Sequence, residues 1–169
     1  MKIVLLGYMA SGKSAIGKLL SLKLNLPFID LDNYIETCEG ISISAIFSTK
    51  GEIYFRKKES EYLQELINLK NDCIISLGGG TPCYGNNMDI ITNNSKSIYL
   101  SATINTIFER LKSETSQRPL VATIGKENLK EYIAKHLFER SPYYSKADEI
   151  ISVDNKTIEQ IVKEIKVLL

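Results

Sequence analysis

The feature that most constrains this chain is the segment at residues 7–14, Gly-Tyr-Met-Ala-Ser-Gly-Lys-Ser, which fits the pattern G-x-x-x-x-G-K-[ST]. Glycines in such a loop let successive backbone N–H groups surround a phosphate, and the following helix directs its positive end at the same anion. The apolar run Ile3 to Leu6 predicts a buried strand before the loop, and helical spacing of apolar residues predicts a helix after it. These flanks disfavour the alternative of an ordinary glycine turn with a solvated lysine. The sequence therefore predicts a site for a nucleoside triphosphate with Mg²⁺.

Within this loop, Lys13 is expected to reach the terminal phosphates and the Ser14 hydroxyl to ligate Mg²⁺. The other residues expected to contact the nucleotide here are Gly7, Ala10, Ser11, Gly12 and Ala15. The motif predicts the ligand but does not by itself name the reaction.

Short apolar runs alternate with helical patterns along the 169 residues, a length that suits one domain. This alternation predicts a parallel sheet with helices on both faces. The predicted strands are residues 3–6, 28–31, 73–77, 97–100 and 149–153. A long amphipathic helix is predicted from Gly51 to Asn71, and Thr157 with Gln160 forms a capping box at the start of the last helix. The polar segment 113–125 between two helices predicts a mobile loop.

The formal net charge is +1, from 21 basic and 20 acidic residues. Near neutrality argues against broad binding to nucleic acid or to a membrane surface, because those modes need a basic excess. No 18 apolar residues run together and the first apolar stretch is too short for a signal peptide, so we expect a cytoplasmic protein. Cys38, Cys73 and Cys83 lack C-x-x-C spacing and are expected to be reduced, buried thiols.

Two carboxylates, Asp30 and Asp32, end the second predicted strand, at the edge where open parallel sheets bind ligands. Residues two apart in a strand share a face, so both are expected to point into one cleft. One would hold Mg²⁺ through water while the other accepts a hydroxyl proton. The alternative is that Asp32 or Asn33 only caps the next helix.

Arginine is rare in this chain, with four residues against 17 lysines. The planar guanidinium matches carboxylate or phosphate in a way that lysine cannot, so each arginine is a candidate ligand. The four are Arg56, Arg110, Arg118 and Arg140. Alternatives remain for three of them: a solvated helix face for Arg56, a surface loop for Arg118, and a favourable charge at a helix C-terminus for Arg140.

Three consecutive glycines, Gly78, Gly79 and Gly80, follow the third predicted strand. They would let backbone amides approach a substrate closely, and a simple tight turn is the alternative. His136 is the only histidine, and its place beside an apolar helical stripe favours partial burial over catalysis. Tyr143 and Tyr144 are expected to be packing or surface residues.

Taken together, the chain resembles the shikimate kinase family along essentially its whole length. The matching features are the phosphate loop, Asp30-Leu31-Asp32, Phe55-Arg56, Ser76-Leu77-Gly78-Gly79-Gly80, Arg118-Pro119-Leu120 and Arg140-Ser141-Pro142-Tyr143. The resemblance implies MgATP-dependent phosphorylation of shikimate at its 3-hydroxyl, toward chorismate and the aromatic amino acids. It also implies a P-loop fold of the nucleoside-monophosphate-kinase type with a five-stranded sheet, a substrate-binding region at about 32–60, a closing lid at about 113–125, and a monomer.

The same resemblance implies roles for single residues. Arg56 and Arg140 would clamp the substrate carboxylate, while Asp32 and the glycine run 78–80 would hold its hydroxyls. Lys13 and Arg118 would neutralise charge on the transferring phosphoryl group, with Asp30 holding magnesium through water. Arg110 and Asn155 would lie near adenine.

Two departures from the family pattern stand out, Ala15 in place of a second hydroxyl residue and Val121 in place of a leucine in the lid. Ala15 could remove one contact to the α-phosphate. Two other functions remain open, a related kinase acting on gluconate or a nucleotide, and a module that binds nucleotide without turnover.

Overall fold

Strands and helices alternate along the residues that the computed structural model describes, 1–113 and 123–169. In chain order these are β1 (Lys2–Leu6), α1 (Lys13–Leu24), β2 (Phe28–Asp30), α2 (Leu31–Glu39), α3 (Ile43–Ile67), β3 (Cys73–Ser76), a 3₁₀ turn (Thr81–Cys83), α4 (Asn87–Asn94), β4 (Lys96–Ser101), α5 (Ile104–Ser113), α6 (Lys126–Tyr144), β5 (Glu149–Ser152) and α7 (Ile158–Leu168). Most of the predicted lid, including Arg118 and Val121, lies outside the described residues.

The five strands form one parallel sheet in the order β2-β3-β1-β4-β5, as the sequence pattern predicted. Every residue of the central strand β1 is buried, because helices cover both faces of the sheet. Leu5 of β1 pairs with Ser76 of β3. The loops that follow these two strands, the phosphate loop and the glycine run, therefore leave the sheet side by side at its carboxyl edge.

The second strand is shorter than predicted, and this changes the placement of the two carboxylates. β2 ends at Asp30, while Asp32 lies in the first turn of α2. The Asp30 carboxylate caps α2, accepting hydrogen bonds from the backbone N–H groups of Asp32 at 3.1 Å and Asn33 at 3.3 Å. The expectation that both side chains share a strand face is wrong, and so is the alternative that Asp32 or Asn33 caps the helix.

Two helices extend past their predicted ends. α3 begins at Ile43, where Ser42 caps it, and continues through a non-helical Gly51 with φ 85° and ψ 169°. The predicted start at Gly51 is thus a kink inside a longer element. α6 continues past Arg140 to Tyr144. Because Arg140 is not in the final turn, a helix C-terminal charge does not explain this arginine.

The remaining expectations are mostly confirmed. The capping box of Thr157 and Gln160 is present, and His136 is partly buried. All three cysteines are free; Cys73 is buried and Cys83 partly so, but Cys38 is exposed, against the prediction. None of the helices in the two described segments has the length and apolarity needed to cross a bilayer.

Candidate active site

A cleft of about 420 Å³ lies at the carboxyl edge of the sheet. Its walls combine the phosphate loop, the start of α2 and the glycine run. The lining residues are Met9, Ala10, Gly12, Lys13, Ser14, Ala15, Asp30, Asp32, Ser76, Leu77, Gly78, Gly79 and Arg110. The structure therefore brings most of the predicted nucleotide and substrate residues into one place.

The phosphate loop depends on backbone conformations that favour glycine. Gly7 has φ 150°, and a Cβ there would lie 2.7 Å from the Leu100 carbonyl oxygen, so a side chain does not fit. Gly12 has φ 93° and precedes α1 without any side-chain cap. The first N–H groups of α1 lack a capping side chain and remain available to an anion.

Two cations hold this loop from different elements. The Lys13 ammonium donates to the carbonyl oxygens of Gly7 at 2.8 Å and Tyr8 at 2.9 Å. Arg110, from α5, donates to the Ala10 carbonyl oxygen at 2.8 Å. Both side chains line the cleft, as the sequence predicted. Asn155 instead lies in an exposed turn after β5 and is not part of the cleft wall.

The oxygen donors expected at a magnesium site are adjacent. The Ser14 hydroxyl donates a 2.9 Å hydrogen bond to the Asp30 carboxylate, and both residues line the cleft. In the described residues, no cluster of three or more His, Cys, Asp or Glu side chains could hold a metal by itself. A hydroxyl and a carboxylate suit Mg²⁺, which usually takes its other ligands from substrate phosphates and water.

Asp32 lies where the start of α2 meets the glycine run. Burial first, and then the negative charges of Asp30 and Glu59, raise the pKa of its carboxyl to about 6, against the opposing effect of Lys13. A carboxylate with this pKa is ionised at neutral pH and is well matched to accept a proton.

Each glycine of the run 78–80 leaves room for a functional side chain from a different helix. A Cβ on Gly78 would lie 3.0 Å from the Asp32 carboxylate, one on Gly79 would lie 3.0 Å from Arg140 Nη1, and one on Gly80 would lie 2.7 Å from Arg56 Nη2. None of the three has a positive φ. Glycine is therefore needed here because a side chain would collide with these groups, and not because the backbone conformation demands it. The run also forms a turn, in which the Thr81 N–H donates to the Gly78 carbonyl oxygen.

Arg56 is held by a buried carboxylate that the sequence did not reveal as functional. Its Nη1 donates to Glu59 at 2.8 Å, and Glu59 also accepts a 2.6 Å hydrogen bond from the Thr81 hydroxyl. Glu59 is 1% exposed. The solvated helix face considered for Arg56 is wrong, and the i,i+3 spacing of Arg56 and Glu59 was the available signal.

Arg140 lies on the opposite side of the run. Its guanidinium is 5.5 Å from the centre of the Tyr8 ring and donates to His136 Nε2 at 3.4 Å. In the described part of the chain, no carboxylate forms an ion pair with it. The buried Tyr144, one turn later, donates a 2.6 Å hydrogen bond to the Gly79 carbonyl oxygen, a contact the sequence did not predict.

The sheet topology and this cleft define a P-loop kinase of the nucleoside-monophosphate-kinase type. A family model described as shikimate kinase matches residues 9–169. The chain belongs to the shikimate kinase family.

Individual relatives agree with this assignment. A shikimate kinase from Flavobacterium johnsoniae is 50% identical over 165 residues, covering 97% of this chain and 96% of the relative. The crystal structure of shikimate kinase from Bacteroides thetaiotaomicron superposes with a TM-score of 0.92 at 35% identity, covering 99% of this chain and 97% of that one. A shikimate kinase from Acinetobacter baumannii in complex with shikimate gives a TM-score of 0.87 at 28% identity, with 99% and 91% covered.

Proposed function

We propose that this chain transfers the γ-phosphoryl group of MgATP to the 3-hydroxyl of shikimate, giving shikimate 3-phosphate and ADP for the synthesis of chorismate and the aromatic amino acids. The observation that supports this most strongly is the convergence on residues 78–80 of one carboxylate and two guanidinium groups, from Asp32, Arg56 and Arg140. A substrate with one carboxylate and several hydroxyls needs guanidinium groups to bind the carboxylate and a hydrogen-bond acceptor to bind the hydroxyls. The relatives that carry the shikimate kinase name extend over nearly the whole chain.

At the acceptor end, Arg56 and Arg140 hold the substrate carboxylate. Arg140 suits this role because its neighbours in the described residues are aromatic or neutral. Arg56 is oriented by Glu59, which fixes the guanidinium beside Gly80. Asp32 and the backbone of residues 78–80 hold the hydroxyls.

At the donor end, the triphosphate lies along the phosphate loop. The residues proposed to contact it are Gly7, Ala10, Ser11, Gly12, Lys13, Ser14 and Ala15, with Arg110 toward the nucleoside. Asn155, in the exposed turn after β5, is proposed to lie near adenine on the family resemblance alone. Arg118, outside the described residues, is assigned to the transferring group on sequence alone.

In the reaction, Asp32 orients the 3-hydroxyl and accepts its proton as the oxygen attacks the γ-phosphorus. A new P–O bond forms to shikimate while the bond to the leaving ADP oxygen breaks. Lys13 and Arg118 stabilise the negative charge that develops on the phosphoryl oxygens. Ser14, and Asp30 through water, would hold Mg²⁺, which would supply further charge neutralisation on the phosphates.

A panel of acceptors tests the proposal. Purified protein is incubated with ATP and Mg²⁺ and with shikimate, gluconate or AMP, and ADP release is measured, with Lys13→Met as the control for contaminating kinases. We expect ADP release with shikimate only, and loss of this activity in the variant. A response to gluconate or AMP without one to shikimate would establish the related kinase instead. Tight nucleotide binding by calorimetry with no product from any acceptor would establish the non-catalytic module.

The proposal extends to a cytoplasmic protein, as expected from the sequence, and to a monomer, on the family resemblance alone. Light scattering coupled to size exclusion tests the second part, for which we expect a mass near 19.0 kDa.

A further inference from the structure

The only histidine of the chain links the phosphate loop to the proposed substrate clamp. His136 lies on α6, one turn before Arg140. Its Nδ1 is 3.2 Å from the Tyr8 hydroxyl, and its Nε2 is 3.4 Å from Arg140 Nη2. The proposed reaction assigns no role to this imidazole.

The hydrogen-bond partners fix the protonation state of the ring. A guanidinium has donors only, so His136 Nε2 must accept the hydrogen bond from Arg140 and carry no proton. The single proton of the neutral ring is then on Nδ1, from which it is donated to the Tyr8 oxygen. A second proton, on Nε2, would place two N–H groups against each other and add a positive charge beside the guanidinium.

The surroundings of the ring hold it in place and favour the neutral form. The Tyr8 ring meets it edge-on at 5.9 Å between centroids, and the Tyr132 ring lies 4.8 Å away. Burial, Arg140 and Lys135 lower the pKa of His136, while Glu139 raises it. Burial also raises the pKa of Tyr8 to about 12, so this phenol stays neutral between about pH 5 and about pH 8. The titratable and charged groups around the imidazole are therefore Tyr132, Lys135, Glu139 and Arg140 on α6 and Tyr8 in the phosphate loop.

We propose that His136 is a positioning residue for shikimate: its neutral imidazole holds the Arg140 guanidinium beside Gly79, and its protonation displaces that guanidinium and weakens shikimate binding. The inference rests on the proposed role of Arg140 as a ligand of the substrate carboxylate. It adds to that role a proton-dependent affinity controlled by a residue that need not touch the substrate.

Thermodynamic linkage gives the inference a sign that can be measured. If protonated His136 weakens shikimate binding, bound shikimate must in turn lower the pKa of His136. The opposite mechanism, in which an imidazolium simply attracts the substrate carboxylate, requires bound shikimate to raise that pKa. The direction of the shift separates the two.

Nuclear magnetic resonance of the whole enzyme measures this directly, because a chain with one histidine gives one set of imidazole signals. The ring is titrated without ligand and with saturating shikimate, in the absence of nucleotide. We expect ¹⁵N shifts of the Nδ1-protonated tautomer in the free enzyme and a lower pKa when shikimate is bound. A proton on Nε2 in the neutral ring, or a higher pKa with shikimate, would overturn the inference.

Two substitutions test the effect on affinity. His136→Gln keeps a neutral acceptor that does not titrate, and His136→Leu removes the acceptor. Calorimetric Kd values for shikimate are compared at about pH 8 and about pH 5, on either side of the usual histidine range. Titration of Asp32 affects the change in Kd between the two pH values equally in the wild type and in both variants. The difference in that change between the wild type and His136→Gln therefore reports the protonation of the imidazole.

We expect His136→Leu to bind several-fold more weakly than the wild type at about pH 8, and His136→Gln to bind nearly as well there but to lose less affinity on acidification. Equal losses on acidification in the wild type and His136→Gln would overturn the inference even if His136→Leu failed to fold. Arg140→Ala distinguishes a failure of the clamp from a failure of the role given to His136. Unchanged shikimate affinity in Arg140→Ala contradicts the clamp. Weakened affinity in Arg140→Ala, together with no effect of the His136 substitutions, contradicts only the role of His136.

Discussion

The Tyr144 hydroxyl donates a 2.6 Å hydrogen bond to the Gly79 carbonyl oxygen, across 65 positions of sequence. This bond fastens the last turn of α6 to the glycine run, one turn after the helix presents Arg140. The bond therefore holds the helix that carries Arg140 against the glycine run, which Arg56 approaches from α3.

Tyr144→Phe removes only that hydroxyl and leaves the Gly79 carbonyl without its partner. We expect the free energy of unfolding to fall by about 1 kcal/mol, the usual net value of one such bond, and the KM for shikimate to rise. Thermal unfolding and steady-state kinetics measure the two effects. The matched control is Tyr143→Phe, which removes the hydroxyl of the neighbouring, half-buried tyrosine of α6; equal behaviour of the two variants would show that the bond to Gly79 does not matter.

Gly80→Ala tests whether the run supplies space for Arg56. The added Cβ would lie 2.7 Å from the flexible end of that side chain, so the guanidinium moves and stability changes little. We expect the KM for shikimate to rise about tenfold with nearly unchanged Tm. A double-mutant cycle with Arg56→Ala checks the mechanism, because an effect that acts through Arg56 disappears when the arginine is already absent. Additive losses would contradict this explanation.

Arg140→Ala removes one fork of the proposed carboxylate clamp. The loss of a charge-assisted contact of this kind is expected to weaken shikimate binding by about 2 kcal/mol or more, close to thirtyfold in Kd. Calorimetry with shikimate provides the measurement. Arg110→Ala serves as the control, because Arg110 contacts the Ala10 carbonyl at the nucleotide end and should leave shikimate affinity unchanged.

Arg118→Ala addresses the part of the mechanism assigned from sequence. If Arg118 stabilises the transferring phosphoryl group, kcat should fall by about 10³-fold while shikimate affinity stays similar. Single-turnover and steady-state rates give the answer, and an unchanged kcat would rule out this role.

Asp32 links activity and stability to pH in opposite directions. With a pKa raised to about 6, the carboxyl loses its proton only near that pH, so kcat/KM should rise as pH increases through about 6. The folded state binds the proton more tightly than the unfolded chain does. Stability therefore falls as pH rises from the unfolded-state pKa of about 4 to about 6, and remains lower above it.

Asp32→Asn removes both the negative charge of the largely buried carboxylate and the proposed proton acceptor. At neutral pH we expect a higher Tm, a free energy of unfolding increased by about 1–3 kcal/mol, and a kcat reduced by about 10² or more. Thermal unfolding at neutral pH and near pH 4 measures the stability term, which should vanish at the lower pH. A variant with lower Tm at neutral pH would show that ionised Asp32 stabilises the fold.

Local patterns were sufficient to predict the sheet and the phosphate loop. β1 is a continuous apolar run and the loop after it has a fixed spacing, so both are encoded within a dozen residues. The placement of Asp30 and Asp32 was harder to predict, because a three-residue strand has too short a pattern to show where the strand ends and the helix begins. The helix cap at Asp30 is visible only once that boundary is known.

The missed residues all act across the fold. Glu59 looked like one charge in a charged helix until Thr81 and Arg56 were placed against it. His136 and Tyr144 become informative only when α6 is placed beside the phosphate loop and the glycine run. No spacing along the chain specifies these neighbours, since they depend on how helices cross the carboxyl edge of the sheet.

Because residues 78–80 carry no side chains, the side chains that would recognise the acceptor alcohol come from α2, α3 and α6. The sheet and the nucleotide loop can therefore stay constant while those helices diverge. An engineer seeking a phosphotransferase for another hydroxy acid would mutate the helices first and leave the tripeptide unaltered.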